Sequence, residues 1–167
     1  NRSQLIRTSI RGGPPETLTD EFNRIYGASW GDDDSIIFSV SDGVTLDAGS
    51  LVRVSASGGW SPEVLTNPEP GTSHLFPDVL PGTQSPRVTI RMLPGPASES
   101  SIALLDLENG EHRALLSGGY NAKYVPTGHI VFVRDTTLFA APFDLEAMAI
   151  TATEFPVVDG LSVNSQL

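Results

Sequence analysis

The chain has no cysteine, which excludes disulfide bridges and thiolate metal sites outright. It is short of positive charge. Ten basic residues stand against twenty acidic ones, a formal net charge of −10, and such a chain repels a phosphate backbone, so nucleic acid is not expected as a partner. No run approaches the roughly 18 apolar residues that a membrane-spanning helix needs, so membrane insertion is not expected. Histidine is scarce, at three residues, and His74, His112 and His129 share no ligand spacing. The glycine-rich phosphate loops, the G-x-S-x-G elbow and the kinase signatures are all missing, so no catalytic residue and no cofactor is assigned.

What the chain does have is an internal echo. Residues 5–19 read LIRTSIRGGPPETLT and residues 51–66 read LVRVSASGGWSPEVLT. Both hold alternating apolar residues, a Gly-Gly pair, a Pro-containing turn and Glu-x-Leu-Thr. A repeat of about 46 residues built from strand-like pieces means stacked β units rather than one ordinary domain. Period-2 alternation recurs from end to end, bounded by Gly, Pro, Asn, Asp and Ser, which suits short half-buried strands. The segment DLEAMA at 144–149 is too short for a stable helix and reads as a turn.

Following the repeat, Trp30, Leu80 and Val125 occupy one position in successive units. Each unit is strand a, turn, strand b, loop, strand c, hairpin, strand d. The chain therefore divides into a half unit at 5–19, holding only strands c and d, and three four-stranded units at 26–66, 74–116 and 120–158. Residues 161–167 are left as the start of a further strand or a tail. The c–d hairpins carry Gly12-Gly13, Gly58-Gly59 and Asn109-Gly110, where positive φ is required.

The string ASW-GDDD-SIIF, LVRVSASGG and PEVLT resembles the TolB-type, WD-like repeat over nearly the whole chain, residues 5 to 160. The last unit, NAKYVPTGHIVFVRDTTLFAAPFDLEAMAI, is similar to propellers that lie C-terminal to bacterial serine/threonine protein kinases. The a–b turns depart from the family pattern: Gly31-Asp32-Asp33-Asp34 replaces Pro-Asp-Gly. The resemblance implies an all-β fold, a partial β-propeller of about three and a half four-stranded antiparallel blades with strand a innermost. It also implies a periplasmic or otherwise extracytoplasmic setting. A non-enzymatic interaction or sensing module is expected, binding a protein, peptide or small polar ligand at a propeller face. The alternative is the substrate-gating propeller of a larger prolyl-oligopeptidase-like hydrolase. Because blades bury their faces only against neighbours, the chain is expected either to be a piece of a longer protein or to close a ring as a homodimer.

A few residues stand out as a candidate binding surface. Asp32, Asp33 and Asp34 form the densest charge cluster, and hard cations favour carboxylate oxygens. Adjacent carboxylates lack the spacing of a cation loop, however, and no metal is assigned. His74 opens a strand a and is expected near the mouth of the central channel. Trp60 follows the second Gly-Gly and is expected at the rim as a contact residue. Trp30 is expected to pack between blades.

Overall fold

The computed structural model describes residues 2–41, 49–59, 61–69, 72–82, 87–92 and 100–162, the 87–92 segment by its backbone alone. Among them every regular element is a strand. β1 (Leu5–Arg7) and β2 (Glu16–Thr19) form a two-stranded sheet, the half blade. β3 (Arg24–Trp30), β4 (Ser35–Ser41), β5 (Ser50–Ser55) and β6 (Glu63–Val64) form the first blade in that spatial order. The second blade is β7 (His74–Val79), β8 (Arg87–Met92), β9 (Ser101–Asp106) and β10 (His112–Ser117). In the third, β11 (Tyr120–Val125), β12 (His129–Arg134) and β13 (Thr137–Asp144) are followed by β14 (Ala149–Ile150) and β15 (Phe155–Val158), both paired with β13. All pairings are antiparallel.

The innermost strands β3, β7 and β11 lie against one another in sequence. Each carries a register shift at the same place: between Ile25 and Ala28, Leu75 and Asp78, and Tyr120 and Lys123. Each shift contains one left-handed residue, Gly27, Phe76 or Asn121. Such bulges sharpen the twist of a strand, which a blade needs at its narrow inner edge. Side chains then stitch one inner strand to the next. Ser29 Oγ accepts the Val79 N–H at 2.9 Å, and Asp78 accepts the Tyr124 N–H at 2.8 Å while pairing with Lys123 at 3.0 Å.

In the first two blades, β4 and β9 are buried on both faces, not half-buried as their alternation suggests. In β4, Ile36, Phe38 and Val40 pack with Leu5, Leu18 and Phe22 of the half-blade side, while Ile37 turns the other way to meet Ala103 and Leu105. In β9, Ile102 and Leu104 face the third blade's Ile130, Phe132 and Phe143. A strand sandwiched between two sheets needs apolar residues on both sides, which is why SIIFSV and SIALL read as nearly unbroken runs. Completely burying a side chain such as Phe38 or Phe132 stabilises the fold by roughly 1.5–3 kcal/mol.

The hairpins between strands c and d repeat one turn. Ser9, Ser55, Asp106 and Asp144 each accept, through the side chain, the N–H two residues on. Four residues after each stands a left-handed residue: Gly13, Gly59, Gly110 and Met148. The DLEAMA segment is the fourth of these turns, as the short length requires.

Candidate functional site

The three aspartates of the first a–b turn do not converge. Asp33 Oδ1 accepts the Ser35 hydroxyl at 2.6 Å and the Ser35 N–H at 3.1 Å, and the hydroxyl holds the Asp33 carboxyl below the usual carboxylate range. Asp34, left-handed at φ 60, takes the Trp30 indole N–H on one oxygen at 3.1 Å and the Ser57 hydroxyl on the other at 2.9 Å. Asp32 reaches the Gly82 N–H at 3.4 Å. The cluster ties its own turn to the neighbouring c–d hairpin and to the second blade. Trp30 is 56% exposed and held by Asp34, so it does not pack between blades as expected; the left-handed turn brings the carboxylate to the indole N–H and keeps the ring at the surface.

His74 does not reach a channel mouth. It is 6% exposed, at the junction of the first and second blades. Its backbone N–H donates to Gly49 O and its carbonyl accepts the Ser39 hydroxyl at 2.7 Å. Nδ1 lies 3.1 Å from Thr66 Oγ1, and Thr66 already accepts the Leu51 N–H, leaving its hydroxyl able to donate to a neutral imidazole. The His112 ring stands edge-on with centroids 6.0 Å apart. Burial first, then the charge of His112, pushes His74 down to about 4. Trp60 lies outside the described residues, as do residues 42–48 and 93–99 of the two b–c loops.

A different set of residues forms a cleft of about 370 Å³ between the outer strands of the second and third blades, lined by Leu104, Asp106, Glu111, His112, Arg113, Glu146, Ala147 and Met148. Two c–d turns shape it. In the second blade, the Asp106 carboxylate accepts the Glu108 N–H and the Asn109 amide oxygen accepts the Glu111 N–H at 2.8 Å, which fixes Glu111 at the start of β10. In the third, Asp144 Oδ1 accepts the N–H groups of Glu146 and Ala147, each at 2.8 Å, and so places Glu146 on the opposite wall. The Arg113 guanidinium crosses the gap to donate to Met148 O. Glu111 and Glu146 make no ion pair with any described residue. The cleft is thus lined by apolar Leu104, Ala147 and Met148, by the Arg113 guanidinium, and by the carboxylates of Glu111 and Glu146, which have no ion-pair partner among the described residues. Its one sequence signal is the repeated Asp-Leu-Glu at 106–108 and 144–146. Among the described residues no three His, Cys, Asp or Glu side chains are placed to hold a metal ion.

No family model matches the chain, and no curated protein matches it. Solved structures do. One, "Oligogalacturonate lyase in complex with manganese", superposes with a TM-score of 0.62 at 14% identity, over 93% of this chain and 42% of that one. The chain folds as a partial β-propeller. It spans 42% of that neighbour's length, and at this identity the likeness shows the fold alone. In the described sheets the propeller segment comprises three blades of four or more strands and a two-stranded half blade, all antiparallel.

Proposed function

We propose that this β-propeller segment is a non-enzymatic binding or sensing module, and that its ligand is a cationic peptide segment or small organic cation held between the second and third blades. The observation that carries the reading is that Glu111 and Glu146, from two different blades, line one cleft together with Leu104, Ala147 and Met148, and neither has an ion-pair partner among the described residues. The overall negative charge supports it by raising the local concentration of cations. The TolB-type repeat, with its likeness to propellers beside bacterial kinases, supports a sensing role outside the cytoplasm. The working surface in this reading is the c–d side of two blades, rather than the surface of Asp32, Asp33, Asp34, His74 and Trp60 that the sequence alone singles out. The lyase activity and manganese of the structural neighbour remain properties of that protein.

The test is an NMR titration of the labelled chain with tetralysine at low salt. Saturable shifts confined to residues 104–113 and 145–148 are expected. The double variant Glu111→Gln/Glu146→Gln should weaken binding about five- to tenfold, as the loss of two partly exposed charge contacts implies. Shifts spread over the whole acidic surface without saturation, or a double variant that binds as well as the parent, would sink the reading.

A further inference from the structure

We propose that the molecule taken by the cleft between the second and third blades is a free basic α-amino acid, its carboxylate held by Arg113 and its two cationic groups by Glu111 and Glu146. The inference rests on the reading of this cleft as a cation site and adds an anion site to it.

The ladder of the second blade places the three charges. Leu104 of β9 and Arg113 of β10 stand opposite each other. Leu104 is buried with Ile130, Phe132 and Phe143 of the third blade, so Arg113 lies on the sheet face that looks toward that blade. Pairing runs one step beyond β10, with the Asp106 N–H donating to Glu111 O at 2.8 Å, and alternation sets Glu111 on the same face as Arg113. Glu146 comes from the β13–β14 turn of the third blade, where the Asp144 carboxylate accepts its N–H. Glu111, Arg113 and Glu146 are all exposed, within reach of a dissolved ligand.

Arg113 donates to Met148 O, a neutral acceptor, and has no carboxylate partner among the described residues, although two glutamates line the same cleft. That bond leaves most of the guanidinium's N–H donors for a ligand, and a carboxylate is the group whose geometry matches them. Asp106, the other acid of the lining, is engaged by the Glu108 N–H of its own turn. The cleft therefore holds one cation and two anions that no ion pair neutralises. Its complement carries two cations and one anion. A free basic amino acid has that set: the α-ammonium, the side-chain cation and the α-carboxylate. Its side-chain methylenes match Leu104, Ala147 and Met148. A basic residue inside a peptide lacks the set, because amide bonds consume both α-groups. The cleft volume of about 370 Å³ suits one small molecule.

The test is an NMR titration of the labelled chain, at neutral pH and low salt, with L-lysine and with cadaverine, which is lysine without its carboxylate. The overall negative charge attracts the diamine more strongly, so a preference for lysine reports local contact. Lysine should bind at least about fivefold tighter than cadaverine, with saturable shifts at residues 104–113 and 145–148. Arg113→Gln, its fold checked by its spectrum, should abolish that preference and leave cadaverine binding no weaker, and Arg113→Lys should restore part of the preference. Equal binding of the two probes to the parent chain, or a preference that survives Arg113→Gln, overturns the inference and leaves the cation reading in place. An equal loss of both probes in Arg113→Gln also overturns it, since Arg113 would then be only a structural bridge to Met148. Binding of tetralysine without binding of lysine sinks the inference alone; binding of no probe sinks both readings.

Discussion

Two acidic groups in this molecule behave in opposite ways. Asp32, Asp33 and Asp34 are consecutive, and each carboxylate is spent on a hydrogen bond: to Gly82, to Ser35, and to Trp30 with Ser57. Asp106, Glu111 and Glu146 come from two blades, and two of the three carboxylates have no ion-pair partner among the described residues. The denser cluster in sequence is the structural one. Charges that are neighbours along the chain diverge and satisfy nearby backbone and hydroxyl donors. Glu111 and Glu146, brought together by packing between blades, are left exposed without an ion-pair partner among the described residues, whereas Asp106 is engaged by its own turn.

Lowering the pH gives the sharpest way to separate these groups from the rest of the molecule. His74 titrates at about 4 in the fold against an ordinary value near 6.5, so the folded state favours the neutral ring. Its contribution is complete above pH 6.5 and is lost as the pH falls from 6.5 toward 4, where the unfolded chain binds the extra proton. Carboxylates of ordinary pKa, near 4, remain largely ionised through most of that window. The urea midpoint should therefore drop across it, and the drop should disappear in His74→Gln. A slope that survives that substitution would mean that the acidic groups control the pH response.

A smaller effect is expected at the turn. Asp34→Ala removes the acceptor of both Trp30 and Ser57 and puts alanine at φ 60, and should cost about 1–2 kcal/mol in urea unfolding. The fluorescence of Trp30 should shift as its indole loses a fixed partner. An unchanged midpoint would place Asp34 with the cleft carboxylates and erase the contrast.

The smallest effect belongs to the cleft. Glu111→Gln/Glu146→Gln should change stability by less than about 0.5 kcal/mol, since neither carboxylate has an ion-pair partner to lose. A loss of 2 kcal/mol or more would show that these residues hold the blades together, as the aspartate turn does.

Much of the architecture is readable from residues. Gly13, Gly59 and Gly110 mark the hairpins where left-handed backbone is observed, and the alternating apolar runs are the strands. Met148 holds the same left-handed position without a glycine to announce it. Trp30 and His74 were misplaced by position in the repeat alone. One is held at the surface by the hydrogen bond its indole N–H donates to Asp34, and the other is enclosed by Thr66 of its own d–a connection and by His112 of the far strand of its blade. The cleft was legible only as a repeated Asp-Leu-Glu, whose meaning depends on two hairpins meeting.

Local patterning, then, determined the strands, their hairpins and the stacking of blades, because turn conformations and strand alternation depend on residues close in sequence. Only the tertiary structure decided which carboxylates are satisfied and which histidine is buried. Those outcomes depend on contacts between blades, such as Ile37 with Ala103 and Ile102 with Ile130, and on the water that each contact removes or leaves.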